Sequence, residues 1–487
     1  MSLPPTTQST AEPSRVAVLT FVGLALTFGI AQALLQAPTQ VTDEGGHVGR
    51  SVRVAIGDWL PRRGDLFAPA SPEMFAYMRH FYVRQLELRE SVPEGELPVA
   101  AFSLAEYYAT PAPLPRHDQG RQALLVGTAR LNPEIGYLGQ AAGLTVANWI
   151  DDSPALHFFS GRVGALLAAT VITAWAISIL PTGRWLFVFT ALTPMVVVIR
   201  SSYSSDSMTV AFAFLAVALF TRARCRTNAL RGAEFMALLA TCIALGLLKA
   251  NLILFPLIAL LLPRDRFASD GARIAALAAL FAIPALATFG WWNWVSVTDS
   301  NMVVTPAPVA TEGVGTILPL LPRFLLESPG LLAEYGWKWI GQFVGHYWGS
   351  PGYRSLTIAL PTPAIVLWLV LLATLIVTAP SHPRIRALPA TAAALIATGL
   401  LLGTMFLFWL GPHLGGPIDH HISFMGGRYL HPALALTVPF AVGLRTIHGA
   451  PSANRRIAHR WIAIVGASAI LSISLATNVR MNLGWPG

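Results

Sequence analysis

Residues 16–35 read VAVLTFVGLALTFGIAQALL, an apolar run without a single charge. A helix of about 20 apolar residues is what the ~30 Å hydrocarbon core of a bilayer requires. The rest of the chain has the same character, because 54% of its 487 residues are hydrophobic and only 12% are charged, against roughly 25% charged in soluble proteins. With a mean hydropathy of +0.57, this composition excludes an ordinary soluble enzyme and predicts an all-α polytopic membrane protein.

Further apolar runs alternate with short loops after the first one. We expect helices at 155–180, 185–199, 206–221, 234–248, 251–263, 274–295, 357–379, 388–410, 432–446 and 461–478. Together with a first helix at 16–36, this predicts about eleven transmembrane helices. Residues 155–487 are then the multispan part, with outer loops at 296–356 and 411–431.

Arginine is concentrated in loops on one side of these runs. The chain has a net charge of +9, and 31 of its 33 basic residues are arginine. The predicted inner loops hold Arg184, Arg222, Arg224, Arg226, Arg231, Arg264, Arg266, Arg273, Arg384, Arg386, Arg445, Arg455, Arg456 and Arg460. Basic loops favour the cytoplasm, so this charge orients the chain in the bilayer and predicts no nucleic-acid partner. Residues 1–15 are then a cytoplasmic tail.

The two short runs at 234–248 and 251–263 can be a hairpin or one long tilted helix. Arg231 and Arg264 flank the pair, and both favour the cytoplasmic side. We therefore expect a hairpin whose turn lies near Lys249, on the outer side.

Residues 37–154 form the one long polar stretch, with 14 of the 24 acidic residues and 10 arginines. We predict an extracytoplasmic loop with interfacial helices, one of them within 131–150. A signal peptide cleaved after Ala33 is the alternative for the first apolar run, and it too places this loop outside. Cys225 and Cys242 imply neither a disulfide framework nor a thiolate metal site.

The motif TDEGGH at 42–47 directly follows the first helix. Glycine costs a helix roughly 1 kcal/mol relative to alanine, so the glycine pair favours a backbone that approaches a ligand; a helix capped by Thr42 is the alternative. On a helix, Asp43, His47 and Arg50 share one face, and Glu44 points about 100° away. Such carboxylates can act as a general base or hold a divalent cation. We favour the base, because the motif alone supplies few metal ligands.

Other polar side chains gather near the predicted outer helix ends, where the cost of burying them indicates function. They are Tyr137 after the Asn132-Pro133-Glu134 turn, Arg162, Asp206, Lys249, and the pair Arg428 and Tyr429 in GGRYLHP at 426–432. Lysine and arginine suit a phosphate, which arginine can bind bidentately. The structural alternatives are an interfacial helix at Tyr137, a helix cap at Asp206, and lipid anchors at Lys249 and Arg428.

Taken in order, TDEGGH, Asn132-Pro133 with Tyr137, Arg162, Thr193-Pro194 with Asp206, Lys249, and GRY with Pro432 form a pattern over nearly the whole chain. The pattern resembles a bacterial family of uncharacterised multispan membrane proteins that look like GT-C-fold glycosyltransferases. Two departures are Glu134, where a second proline is expected, and Gly426, where relatives often carry glutamine.

The resemblance implies a polyprenyl-phosphate sugar as donor and a catalytic acid in the first external loop. Asp43 is then the first candidate for the base and Glu44 the second. Lys249 and Arg428 would hold the donor phosphate. His47, Arg50, Tyr137, Arg162, Asp206 and Tyr429 complete the expected substrate site, for which no metal ligand is assigned and a divalent cation is optional.

The expected function is transfer of a sugar to a glycan, lipid or protein acceptor of the cell envelope, on the outer face of the bacterial inner membrane. A transporter or flippase of a lipid-linked glycan is the rival. It predicts ionisable residues at mid-membrane and on both sides, whereas the candidates here gather outside. A scaffold in an envelope-assembly complex is a third possibility.

Overall fold

The computed structural model describes residues 14–41, 43–60, 67–90, 103–109, 123–126, 129, 132–298, 318–345, 347–348, 357–358, 360–385, 387–413, 427–448 and 453–483. The α-helices are α1 (Ser14–Leu35), α2 (Glu44–Ala55), α3 (Pro72–Glu90), α4 (Leu104–Tyr108), α5 (Leu138–Asn148), α6 (Pro154–Ile179), α7 (Arg184–Ala191), α8 (Pro194–Arg200), α9 (Asp206–Cys225), α10 (Gly232–Leu248), α11 (Asp270–Thr298), α12 (Leu321–Val344), α13 (Thr362–Val377), α14 (Ala387–His413), α15 (Thr437–His448) and α16 (Ala453–Leu483).

Shorter elements complete the described chain. The 3₁₀ helices are Glu134–Gly136, Ala250–Leu261, Arg264–Arg266, Leu318–Leu320 and Gly427–Leu436. Two small antiparallel pairs join β1 (Phe67–Pro69) to β2 (Ala123–Leu125) and β3 (Tyr347–Trp348) to β4 (Thr357–Ile358). The protein is thus almost wholly helical over the residues described.

Six of the described helices are long and apolar enough to cross a membrane. These segments are Ser14–Leu35, Pro154–Ile179, Asp206–Cys225, Asp270–Val295, Leu388–Phe406 and Arg455–Arg480, and three shorter apolar helices are α10, Ala250–Leu261 and α13. This finding agrees with the prediction of a multispan membrane protein, whereas the count of eleven crossings stays a prediction. Of the six, α9 is the most buried and forms the centre of the bundle.

The third predicted run is two helices, α7 and α8, instead of one. Pro194 has no N–H, so it cannot donate to the carbonyl of Thr190 as a helix would require. The hydroxyl of Thr193 donates to that carbonyl at 2.9 Å, and Arg200 donates to the carbonyl of Ala191 at 2.7 Å. Side chains therefore donate the hydrogen bonds that these two carbonyls would otherwise lack at the helix break. Backbone polar groups inside a membrane need such partners.

The chain turns back at Lys249, as the predicted hairpin requires. The far ends of its arms meet, because the Leu230 N–H donates to the carbonyl of Arg266 at 2.7 Å. The second arm is the 12-residue 3₁₀ helix Ala250–Leu261, and the first is the 17-residue α10. At rises of about 2.0 and 1.5 Å per residue, both arms are roughly 25 Å long.

The predicted outer loop 296–356 contains a long amphipathic helix, α12. Its charged residues are Arg323, Glu327, Glu334 and Lys338, whose spacing puts them on one helix face. Arg323 donates to Glu327 at 2.9 Å, and Phe324 and Trp339 are buried on another face. The mean polarity of the stretch hides this periodicity.

The second predicted outer loop, 411–431, lies partly outside the described residues, at 414–426. The helix expected from 432 begins earlier, as the 3₁₀ helix Gly427–Leu436, and continues into α15. Arg428 and Tyr429 therefore lie in the first turn of a helix instead of in a loop before it.

The basic loops meet at one end of the bundle, which we call the Arg224 end. Arg224 donates to the carbonyl of Arg384 at 2.6 Å, Arg384 donates to the carbonyl of Arg226 at 2.6 Å, and Arg266 donates to Glu234 at 3.1 Å. The opposite end, which holds the first residue of α9 and the hairpin turn, is the Lys249 end. This separation agrees with the charge asymmetry read from the sequence.

The described residues of the stretch 37–154 form a mostly helical layer at the Lys249 end. Aromatic side chains attach this layer to the bundle: the Tyr77 hydroxyl donates to the carbonyl of Tyr107 at 2.7 Å, and the Tyr107 hydroxyl donates to the carbonyl of Leu35 at 3.2 Å. Phe158 and Tyr203 belong to the same buried cluster. The loop is therefore packed against the helix ends.

The helix expected within 131–150 is α5, and it packs on α6 through glycines. A Cβ at Gly143 would lie 2.0 Å from the carbonyl oxygen of Ser160, and one at Gly139 would lie 2.7 Å from the Cβ of Ala168. Backbone approaches of this kind are common where membrane helices associate through small residues. They hold α5 against the start of α6.

Replacing Gly143 with alanine should force α5 away from α6. We expect the melting temperature of the purified protein to fall by roughly 2–10 °C, because overpacking costs about 1–3 kcal/mol. Gly23→Ala is the matched control, since no atom lies within 4 Å of a Cβ there, and it should leave the melting temperature unchanged or slightly higher. Equal melting temperatures for the two variants would contradict this packing.

Candidate functional site

Glu44 and Arg162 form a buried ion pair beneath the TDEGGH motif. Arg162 Nε donates to Glu44 Oε1 at 2.9 Å, Arg162 Nη2 donates to Oε2 at 2.7 Å, and both side chains are 0% exposed. The remaining guanidinium hydrogens bond three carbonyls at 2.6–3.0 Å, those of Ala33, Gln36 and Ala37. All five N–H groups of the arginine are thus satisfied, and α6 holds the end of α1 and the start of α2 together.

The same pair reaches the turn before α9. Glu44 Oε1 also accepts the backbone N–H of Tyr203 at 3.3 Å, and the Tyr203 hydroxyl donates to the carbonyl of His157 at 3.2 Å. The guanidinium of Arg162 lies 4.5 Å from the ring centre of Phe158. Four segments of the chain therefore meet at this one pair.

This geometry changes the interpretation of Glu44 and Arg162. From the sequence, Glu44 is the second candidate base and Arg162 is a substrate residue. Both carboxylate oxygens accept hydrogen bonds from Arg162, and neither side chain is exposed. Glu44 is not placed to take a proton from a substrate, and we assign both residues to positioning.

Arg50 is also occupied by protein groups. It donates to Glu134 Oε1 at 2.9 Å, and to the carbonyls of Trp59 at 2.6 Å, Asp58 at 3.3 Å and Asn132 at 3.4 Å. Burial lowers the pKa of Arg50, and the nearby Glu134 carboxylate opposes that shift. Arg50 thus ties α2 to the turn before Tyr137, a role that corrects its expected contact with substrate.

Asp43 differs from these buried residues because it is exposed. It occupies the N-cap position of α2 with a left-handed backbone, φ 63° and ψ 9°, and its side chain makes no capping hydrogen bond. The expected common face of Asp43, His47 and Arg50 is wrong, because the left-handed residue lies outside the helix. The alternative cap, Thr42, lies outside the described residues.

The backbone of Asp43 has a physical cost. A left-handed conformation costs most L-residues about 1–2 kcal/mol, although aspartate tolerates it better than a branched side chain does. Strained residues of this kind cluster at active sites and ligand contacts. The exposed carboxylate of Asp43 is therefore the acidic group of the motif best placed to meet a substrate.

His47 lies one turn into α2 and contacts Tyr137. Its Nδ1 is 2.7 Å from the Tyr137 hydroxyl, which also accepts from Asn132 at 3.1 Å and forms a hydrogen bond with Ser205. Burial raises the pKa of Tyr137, so the phenol keeps its proton. Tyr137 thus links α2 to the residue that precedes Asp206.

Asp206, Lys249 and Tyr429 come together at the Lys249 end, and we call them the Lys249 cluster. Lys249 Nζ lies 2.9 Å from Asp206 Oδ1 and 4.5 Å from the centre of the Tyr429 ring. The Lys249 side chain is 25% exposed and that of Asp206 is 7% exposed. The cation of this pair therefore faces the open side of the cluster.

The helix start explains how Asp206 is held. Asp206 is the first residue of α9, and Ser205 occupies the N-cap position, so the alternative in which Asp206 caps the helix is wrong. A carboxylate in the first turn is stabilised by the helix dipole. The backbone N–H of Asp206 donates to the hydroxyl of Ser204 at 3.2 Å. The serine-rich turn thus fixes the backbone of Asp206 near Lys249.

The predicted residues fall into two groups. His47, Tyr137, Asp206, Lys249 and Tyr429 form a path of neighbours across the Lys249 end, whereas Glu44, Arg162 and Arg50 are enclosed in protein. The backbone of Arg428 precedes Tyr429 in the 3₁₀ helix, and its side chain lies outside the described residues. Among the residues described, no three His, Cys, Asp or Glu side chains group closely enough to hold a metal ion.

Sequence reasoning missed the roles of Tyr203 and Arg200. Tyr203 belongs to SSYSSD at 201–206, where only the aspartate drew attention, although an aromatic residue among small polar ones is a detectable signal. Arg200 is fully buried, and Nη2 donates to the Thr173 hydroxyl at 3.0 Å. Arg200 directly follows a predicted apolar run, and that position gives no sign that it donates to the carbonyl of Ala191 at the helix break.

The long apolar helices, with a polar cluster at one end, define an integral membrane protein of the helical class. A family model described as "Predicted membrane protein (DUF2142)" matches residues 26–438. The chain belongs to this family. No curated protein matches the chain.

Removing the charge of Glu44 should destabilise the protein strongly. In Glu44→Gln the buried Arg162 loses its counter-charge, and breaking a buried pair costs about 3–5 kcal/mol. The control is Asp270→Asn, which breaks the pair of Arg264 and Asp270, with both side chains more than half exposed. That change should cost about 1 kcal/mol at most. Denaturant unfolding followed by tryptophan fluorescence measures both, and a similar loss in the two variants would refute the role of the buried pair.

The left-handed backbone of Asp43 predicts that glycine is more stable than alanine at this position, the reverse of their usual order within a helix. Asp43→Gly should be more stable than Asp43→Ala by about 1 kcal/mol, because glycine adopts the left-handed conformation without a Cβ clash. At Glu73, in the first turn of α3, alanine should instead be more stable than glycine by about 1 kcal/mol. The same unfolding measurement tests both pairs. Alanine more stable at both positions would contradict a left-handed Asp43.

Proposed function

We propose that this protein is a GT-C-type glycosyltransferase of the bacterial inner membrane. It transfers a sugar from a polyprenyl-phosphate donor to a glycan, lipid or protein acceptor of the cell envelope, on the outer side. The observation that carries the proposal is that Asp43, an exposed carboxylate on a left-handed backbone, lies one turn before His47 on α2. His47 begins the path of neighbours that leads to the partly exposed cation Lys249.

The chemistry assigns a task to each of these groups. Asp43 takes the proton of the acceptor hydroxyl, and the acceptor oxygen forms a bond to the anomeric carbon. The bond from that carbon to the phosphate oxygen breaks, and its electron pair stays on the phosphate. Lys249 and Arg428 stabilise this negative charge.

The buried residues support the reacting groups. Glu44 and Arg162 fix the start of α2, and Arg50 fixes its end against the turn before Tyr137. Tyr137 then orients His47 through the 2.7 Å contact with Nδ1. His47 lies one turn from Asp43 and is proposed to bind substrate beside the base. Positioning of this kind is worth several kcal/mol when reacting atoms must meet within about 3–3.5 Å.

The two ends of the bundle support the proposed orientation. Four arginines of the predicted inner loops, Arg224, Arg226, Arg266 and Arg384, meet at the Arg224 end, and basic residues favour the cytoplasm. The Lys249 end then faces the periplasm or exterior. There a polyprenyl phosphate can stay in the bilayer while its headgroup reaches the cluster.

A flippase for a lipid-linked glycan is the second candidate, and Arg200 is the observation that favours it. This arginine is fully buried among the helices, and its contacts include the Phe21 ring at 5.3 Å. An arginine inside a membrane protein is a functional candidate by default. Its hydrogen bonds to Ala191 and Thr173, however, already give it a structural role at the break between α7 and α8.

Substituting Asp43 with asparagine tests the proposed base. Asparagine tolerates the left-handed backbone, so the fold should persist while turnover of a polyprenyl-phosphate sugar in reconstituted vesicles falls by about 10²–10⁴-fold. The control is Asp152→Asn, which removes an exposed carboxylate between α5 and α6 and should leave turnover unchanged. Undiminished transfer by Asp43→Asn would reject the assigned base. Donor movement across the bilayer without any transfer would favour the flippase.

A further inference from the structure

The cation proposed to bind the donor phosphate already has an anionic neighbour. Lys249 Nζ lies 2.9 Å from Asp206 Oδ1, so the two side chains together carry no net charge. An incoming phosphate must share the ammonium with a carboxylate or displace that carboxylate from it. Asp206 is therefore expected to weaken phosphate binding, although it belongs to the same cluster.

The proposed reaction changes the charge at this position. The donor is a phosphodiester with one negative charge. When the bond to the anomeric carbon breaks, the electron pair stays on the phosphate oxygen, and the acceptor proton goes to Asp43. The product is a phosphate monoester whose second pKa is about 6, so it carries up to two charges near neutral pH. A site of bare cations would hold the product more tightly than the donor.

We propose that Asp206 is an internal counter-ion that competes with the lipid phosphate for Lys249 and thereby favours release of the phosphate product. The inference rests on the function proposed above. It adds to that function a way in which the enzyme avoids being trapped by its own product.

The local structure suits this exchange. The backbone of Asp206 is held by the start of α9 and by the bond from its N–H to Ser204, and its short side chain keeps the carboxylate near that backbone. Lysine has a flexible stem and three N–H donors, and the Tyr429 ring at 4.5 Å keeps the ammonium close to the carboxylate. The partly exposed ammonium can thus meet a phosphate and return to Asp206 when the phosphate leaves.

Exposure distinguishes this pair from the ion pair of Glu44 and Arg162 at the same end. Glu44 and Arg162 are both 0% exposed, whereas Lys249 is 25% exposed. A fully enclosed pair cannot exchange one partner for a ligand without unpacking the protein. The half-open pair can do so, because solvent or a headgroup already reaches one member.

Equilibrium binding, which needs no transfer, tests the inference. The probes are farnesyl phosphate, a monoester, and its methyl ester, a phosphodiester, and binding to the purified full-length protein is followed by tryptophan fluorescence. We expect Asp206→Asn to bind the monoester about tenfold more tightly than the wild type, because a carboxylate about 6 Å away no longer opposes it. The gain for the diester should be smaller.

Two controls make each outcome decisive. Lys249→Gln should bind both probes more weakly than the wild type, and Asp152→Asn should bind like the wild type. Equal or weaker monoester binding by Asp206→Asn overturns the inference and makes Asp206 a residue that orients Lys249. Failure of the wild type to bind either probe would instead overturn the phosphate site of the proposed function.

A kinetic measurement gives a second readout in the vesicle assay. In Asp206→Asn, the inhibition constant of the polyprenyl-phosphate product should fall more than the KM of the donor, and kcat should fall because product leaves slowly. Asp206→Ser serves if the asparagine variant does not fold, since serine also suits a helix start. Unchanged product inhibition in a folded variant overturns the inference.

Discussion

The ion pair of Glu44 and Arg162 is the constraint on which the Lys249 end depends. Two charges removed from water repay their desolvation only when the geometry is good and every remaining donor is satisfied. Here all five N–H groups of the arginine donate hydrogen bonds, to the carboxylate and to carbonyls at the end of α1. The position of α2, and with it of Asp43 and His47, follows from that pair.

The same pair accounts for where the backbone is strained. The end of α1 and the start of α2 are both fixed to Arg162, so the chain between them must turn within a few residues. That short connection contains both non-glycine residues with positive φ in the described chain, Thr39 at 64° and Asp43 at 63°. The buried contacts offset this strain, and the turn leaves the Asp43 side chain exposed.

Hydrophobic length alone predicts much of the helix layout but not the pairing of polar side chains. The run expected at 155–180 is α6, because a 26-residue stretch that is mostly apolar has few other solutions in a bilayer. Glu44 and Arg162 lie 118 residues apart, and no spacing rule connects them. Asp43 does not share a helix face with His47 and Arg50, because helical spacing places side chains correctly only on a right-handed backbone and Asp43 is left-handed. The periodicity of α12 was present in the sequence but hidden in an averaged polarity.

Two of the ion pairs at the Lys249 end, Glu44 with Arg162 and Asp206 with Lys249, show why residue type is a weak guide to role. Each joins an acidic residue at a helix start to a base on another helix or turn, and each was a site candidate for the same reason, the cost of a charge near a membrane. Their surroundings differ. The pair of Glu44 and Arg162 is fully enclosed and stays together, because replacing either partner by a ligand would leave a charge unpaired in a low dielectric. Partial exposure lowers that cost for Asp206 and Lys249, so a ligand can compete there. Accessibility, which depends on tertiary packing, is therefore what separates the supporting charges from those that can bind and release an anion.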